Sequence, residues 1–478
     1  MPGFLRKAAA VVFVFGLTWA GTIAYWRQSG STPGGMEILG MLGLLPAGLL
    51  GGGWMVRSMA TRAAERAAAR IAEGEGEGEP ARATPNPAAG DATPAATGLA
   101  VLGSALRLPD GLEVPVLLSQ PVAAPRPGLH PRLKDHDGLP VFAGYVADLP
   151  DPSALPPDHA AAPRLRRAMA LLEPVLDELL LQVLQALPSL PEAEERVVAG
   201  WRQQRPMAVD RTLSVECLVE PEMHEPLRAA LHDWLSQQLA DAGVDPRRYA
   251  VEVVPAYDAN RVWERLQRLA DEDAGVPRWH LLLSAYSAID PDVIERWQLQ
   301  GKLYRNRHPD GRVPGEAAAG VLLANAAAAP AEAPHARLWR PLRAPVAARA
   351  SVLQRARLGV QLAGEVLEAI ALDAQAVDFV VSDAGAQAEQ AAEAGQVAHS
   401  LCPDLDIPSQ CLSLPASTGA IELASPLALL AIAHARQQQT GGAVLVLGVD
   451  HPDSRWATVL HPYSSPETHV RPEQAEAA

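Results

Sequence analysis

The sequence predicts a layered α/β domain carried behind a two-helix membrane hairpin. Three observations predict it. Residues 1–60 hold two uncharged apolar runs, a polar stretch without periodicity follows, and from Leu99 onward apolar patterns alternate between strand and helix. The length of 478 residues exceeds one typical domain, and an apolar fraction of 48% is enough for a sizeable core. A net charge of -15 leaves no basic surplus to neutralise phosphates, which argues against a nucleic-acid partner. Cys217, Cys402 and Cys411 are an odd number without metal-site spacing and read as free thiols in a reducing compartment.

Ala8 to Trp26 and Ile38 to Val56 carry no charged residue, and each is long enough to cross most of a hydrocarbon core at ~1.5 Å per residue. The first run is long for a signal peptide, and a second candidate span follows it. Arg6 and Lys7 precede the first run; Arg57, Arg62, Arg66 and Arg70 follow the second; the connection holds only Arg27. The positive-inside rule then puts both ends in the cytoplasm: two spans in the inner membrane, main domain cytoplasmic. Residues 61–98 have too few large apolar side chains for a core and read as a flexible linker. Residues 99–464 are the folded domain, and 465–478 a disordered tail.

Within the domain, Leu99 to Leu108 is a short apolar strand. Leu165 to Leu187 is an apolar helix interrupted by Pro174. Arg211 to Glu220 alternates as a strand, and Glu225 to Gly243 has the spacing of an amphipathic helix. Tyr249 to Tyr257 reads as a strand, Ala259 to Glu272 as a helix and Trp279 to Ile289 as a strand. Ala376 to Asp383 and Gly442 to Asp450 are β-branched runs on either side of the helical pattern Ser425 to Gln439.

Between these elements, Asp310-Gly311 and Gly315-Glu316 run into AAAGVLL. This resembles the DGxxxGEGAG loop of β-ketoacyl synthases, members of the thiolase-like fold, with Ala317 where that family has another glycine. LLLSAYSAIDPDVIERWQLQGKL, AVDFVVSDAGAQAEQAAE and PASTGAIELASPLALLAIAHARQ resemble three further segments of the family in the same order. The last of these carries Thr418 and Gly419. The resemblance covers about Ser214 to Pro462, and the Pro-rich stretch before Ser214 has no counterpart in it. It implies a thiolase-like layered α/β domain that dimerises through a sheet-edge strand. Gly315 would then permit a tight turn, and Glu316 would brace neighbouring loops by accepting backbone N–H groups. The alternative for Glu316 is a solvated loop carboxylate.

The resemblance also places the chemistry. The family's nucleophilic cysteine, at the start of a buried helix, falls at Tyr257. Its two histidine positions fall near Ala384 and at Ala420. No catalytic residue, cofactor or metal is therefore expected. His451, Asp453 and Arg455 read as a solvated turn, Tyr257 and Asp258 as core packing, and Arg261, Arg265 and Arg268 as one solvated helix face. His130, Asp135, His136 and Asp137 fit no standard metal spacing.

Two functions stay open. One is a membrane-anchored, non-catalytic binding or adaptor protein with an as yet unknown protein partner. Its layout resembles adaptors that deliver lipase effectors to type VI secretion machinery. The other is a divergent condensing or acyl-transfer enzyme acting on carrier-protein or coenzyme A thioesters, which the acidic charge disfavours because those substrates are anionic.

Overall fold

The computed structural model describes residues 98–463 apart from 156–160, 191–193, 199–200, 206–209, 273–274, 306–307, 331–334 and 386. The stretches read as membrane hairpin and C-terminal tail, and the linker up to residue 97, lie outside the described residues. Among those described, no helix is long and apolar enough to cross a membrane.

β1 (Gly98–Arg107) buries a run of apolar residues and opens the described chain. A ribbon follows, β2 (Gly128–Lys134) paired with β3 (Pro140–Ala143). α1 (Pro163–Ala186) starts on a proline, whose missing N–H is an orphan at that position anyway. Pro174 does not interrupt α1 as its pattern suggested; the helix runs through it. The ~3 kcal/mol defect of an interior proline is outweighed by burial of Leu171, Leu172, Val175, Leu176 and Leu179 around it. A hairpin, β4 (Glu194–Val198) and β5 (Trp201–Arg205), leads to β6 (Leu213–Val219) and α2 (Glu225–Asp241). Then come β7 (Tyr249–Pro255), α3 (Ala259–Asp271), β8 (Trp279–Ser287), α4 (Pro291–Leu299) and β9 (Glu316–Ala324).

The second part contains β10 (His335–Trp339), β11 (Leu342–Pro345) and α5 (Val352–Ala369). It continues with β12 (Val377–Ser382), α6 (Ala388–Leu401) and β13 (Cys411–Ser413), and ends with α7 (Ser425–Thr440), β14 (Ala443–Gly448) and β15 (Ser454–Tyr463). Each strand and helix expected from the pattern is present.

The main sheet has eleven strands in the order β13-β12-β14-β15-β10-β1-β9-β8-β6-β7, with β11 added beside β15. This order hides a repeat. Numbered along the chain, β1, β6, β7, β8 and β9 lie as 3-2-4-5-1, and so do β10, β12, β13, β14 and β15. The directions also repeat: the second strand is parallel to the third and fourth, and the fifth is antiparallel to its neighbours. The two half-sheets join where β1 pairs antiparallel with β10.

Three apolar cores explain the layering. α3 and α7 share one core with residues from both half-sheets, including Leu218, Leu282, Val321, Phe379 and Val446. Leu427 to His434 is buried throughout, as expected of a helix apolar all round. α1 and α2 cover the outer face of the first half-sheet. α5 and α6 cover that of the second. The turns after β7, β12, β13 and β14, together with the long connection from β8 to β9, carry the residues of the site described next.

Candidate functional site

The two glycine-bearing motifs meet each other. Gly144 donates its N–H to Pro314 at 2.9 Å, and Ala420 donates to Val313 at 2.8 Å. The three segments are packed too closely for side chains. A Cβ on Gly144 would lie 2.1 Å from the Thr418 carbonyl oxygen, and one on Gly315 would lie 2.4 Å from the same atom. Gly315 is thus required by close approach and not by a positive φ. Gly419 does have a positive φ, +73°, and its Cβ would sit 2.6 Å from the Pro314 oxygen. Thr418 is fully buried, and its hydroxyl donates to Leu414 O at 3.2 Å. A Cβ on Gly311 would meet Leu303 O at 2.4 Å, whereas Asp310 is exposed at the rim of a cleft.

Glu316 opens the fully buried strand β9 and is itself 0% exposed. Its carboxylate accepts the Val146 N–H at 2.7 Å, Arg167 Nε at 2.8 Å and the Ser287 hydroxyl at 2.7 Å. Arg167 reaches it from α1 and also donates to Val146 O, so helix, strand and loop close on one carboxylate. The solvated-loop alternative does not hold.

Above this junction lies a cleft of ≈ 660 Å³ walled by the strand-end turns. Of the three positions that the family resemblance assigned to chemistry, Ala420 lines it. Tyr257 is 76% exposed and does not pack in the core as expected. Its neighbour Asp258 is turned to the cleft, caps α3 through the Arg261 N–H at 3.3 Å and pairs with His451 at 3.3 Å. Ala384 is buried in the outer core beside α5 and α6, while Asp383 and Gly385 on either side of it line the cleft. No cysteine lines the cleft, and His451 is the one histidine among its lining residues. Burial pushes the Cys217 thiol up to about 12 and raises Cys402; Cys411 is pushed up to about 12, chiefly by burial. Such thiols are poor nucleophiles.

The cleft's charges are largely paired with one another. Arg312 donates to Glu422 at 2.7 Å and to Asp450, and Gln390 donates to the other Asp450 oxygen at 3.0 Å. Glu422 holds a φ of 24°, an uncommon conformation for a residue with a side chain. Burial, with the nearby Asp450 charge second, pushes the Asp383 carboxyl up to about 7 against the pull of the Val449 and Asp450 N–H groups that it accepts. Between the ordinary carboxylate range and about 7 the folded chain therefore holds a proton that the unfolded chain releases. Stability falls as pH rises through that window, and this contribution is gone above it. Glu220, pushed to about 7 mainly by burial, acts in the same sense. Asp383→Asn keeps the acceptor oxygen without the charge. Its Tm at about pH 8 is expected to exceed that of the parent chain, with a flatter profile down to about pH 5. Parallel profiles would show that Asp383 does not titrate in this range.

Several charged residues differ from their sequence reading. Arg455 is buried, not solvated, and pairs with Glu393 of α6. Arg355 donates to the same carboxylate at 2.9 Å. Arg265 is no part of a free face, because it holds the buried Glu216 through Nε at 2.6 Å. Arg261 pairs with Glu264 at 3.0 Å, and Arg268 donates to the Glu264 carbonyl at 3.4 Å. Asp135 pairs with Arg305 at 3.0 Å, and His130 is buried against Tyr145. No cluster of potential metal ligands is found among the described residues.

No protein-family model matches the chain, and no curated protein matches it. Solved structures do. One is a type II polyketide ketosynthase in complex with its acyl-carrier protein, "AntDE:AntF". It is 10% identical with a TM-score of 0.50, over 77% of this chain and 99% of that one. The PfaC keto synthase–chain length factor is 15% identical with a TM-score of 0.49, over 77% of this chain and 43% of that one. OleA of Xanthomonas campestris is 10% identical with a TM-score of 0.42, over 77% and 97%. At 10% identity and a TM-score of 0.50 the first of these likenesses is one of fold, and the fold is thiolase-like.

Proposed function

We propose that this chain is a membrane-anchored, non-catalytic binding protein built on a ketosynthase-like frame. The observation that carries this reading is the cleft: its lining offers one imidazole and no thiol, and Arg312 is tied to Glu422 and Asp450 inside it. A condensing site needs an activated nucleophile and groups that stabilise the thioester oxyanion. The frame that would present them is kept, so its surface is free to serve recognition. The partner we propose is a protein, and the layout of apolar runs, linker and domain supports a secreted lipase effector bound for type VI secretion machinery.

The purified chain is expected to release no carbon dioxide from malonyl thioesters and to resist acylation by reactive acyl thioesters. Turnover, or stoichiometric acyl labelling of Cys217, Cys402 or Cys411, would replace this reading with that of a divergent acyl-transfer enzyme.

We propose also that the protein works as a homodimer. β7 ends the main sheet, and its outer edge pairs with no strand among the described residues. Pairing that edge across a two-fold axis would satisfy its backbone groups. Light scattering on the segment from Leu99 should give twice the monomer mass at tens of micromolar. Monomer mass there would mean that the edge is covered some other way.

A further inference from the structure

We propose that the β2–β3 ribbon and the end of α4 form a surface that docks on an anionic lipid bilayer. Large apolar side chains crowd this rim: Leu129 is 54% exposed, Leu139 61%, Phe142 38% and Leu299 81%. They are neighbours, not scattered residues. Leu129 and Phe142 are cross-strand partners on the ribbon's outward face. Phe142 meets the Tyr304 ring edge-on at 5.7 Å. Leu139 donates its N–H to Asp135 at 2.9 Å, and His136 donates to Gln298, one residue before Leu299, at 3.0 Å.

The charges around the rim point the same way. Arg126, Arg132, Lys134 and Lys302 stand exposed around the rim, and none has a carboxylate partner among the described residues. The ribbon's own acids, Asp135 and Asp137, are both taken by Arg305. In a chain of net charge -15 this is a cluster of four unpaired cations, set beside the exposed Asp292 and Glu295 of α4. Leucine and phenylalanine set among unpaired lysine and arginine is the composition that enters the headgroup region of a bilayer. The apolar groups gain burial, and the cations meet anionic lipid. The proposal rests in part on reading residues 1–60 as a membrane anchor, which would hold the domain within reach of such a surface.

The test uses the full chain in nanodiscs of phosphatidylcholine alone or with about 30% phosphatidylglycerol, a lipid that supplies the anionic surface. Leu139→Cys carries a polarity-sensitive dye, and the dye-treated parent chain sets the background from its three native cysteines. On the anionic discs the emission should brighten and shift to the blue. Zwitterionic discs, or Arg132→Glu with Lys134→Glu, should abolish the change. Recovery of the chain in the disc fraction reports the anchor separately. If the chain does not enter discs, it is floated with vesicles of the two compositions. Binding confined to the anionic vesicles and lost on charge reversal would then support the proposal. Equal emission on both discs, equal flotation, or a shift that survives charge reversal would overturn it and leave the rim to a protein partner.

Discussion

Glu316→Ala should cost the domain about 3–5 kcal/mol, the range for breaking a buried pair from one side. The size follows from what is left behind. The Arg167 guanidinium, the Val146 N–H and the Ser287 hydroxyl all converge on the missing carboxylate at a site with no exposure of its own. Each would be stranded away from water or forced to rearrange. Arg167→Ala should be comparably harmful, since it strands the carboxylate instead. The double variant should lose much less than the sum, because the two substitutions remove one shared interaction. Chemical denaturation of the four proteins measures this directly. Losses below about 1 kcal/mol for the single variants would mean that water reaches the pair and replaces either partner.

Gly419→Ala is expected to be nearly as damaging, at about 3 kcal/mol or more, from backbone strain and steric overlap together. Its φ of 73° and ψ of -175° fall in a region open in practice to glycine alone. The added Cβ would press on the oxygen and carbon of Pro314 at 2.6 and 2.9 Å, backbone atoms that cannot rotate aside. Gly441 is the control. It has a φ of 70° but nothing within 4 Å of a Cβ, so Gly441→Ala should lose only about 1–2 kcal/mol of backbone preference. A similar loss at both positions in thermal or denaturant unfolding would show that packing of the Thr418 to Ala420 turn against the Val313 to Gly315 segment adds nothing.

The strands and helices were legible because burial imposes a period on sequence. Leu213 to Val219 and Leu281 to Leu283 alternate or run apolar as the sheet requires, and Val262, Trp263, Leu266, Leu269 and Ala270 trace one face of α3. The duplicated strand order was not legible, because it resides in connectivity, which an apolar period does not encode. Arg167 was invisible as the partner of Glu316, being 149 positions away in the chain. Arg455 was misread because a charged residue in a polar turn is exposed by default, and only the fold brings Glu393 beneath it. Asp258 could have been found: an aspartate just before an apolar-periodic run is a helix-start signal, and it marks the end of the β7 turn better than Tyr257 does.

The doubled 3-2-4-5-1 order separates what fixes the architecture from what dresses the cleft. Strands, their partners and the middle helices are specified by apolar pattern, and that specification is written twice along the chain. The turns at the strand ends belong to neither copy's pattern. A substitution at a turn residue that faces the cleft and packs on nothing else can therefore change what the cleft offers while the apolar terms of both halves are kept. Cleft chemistry and architecture can then vary independently, and the architecture leaves a frame on which new surfaces can be selected.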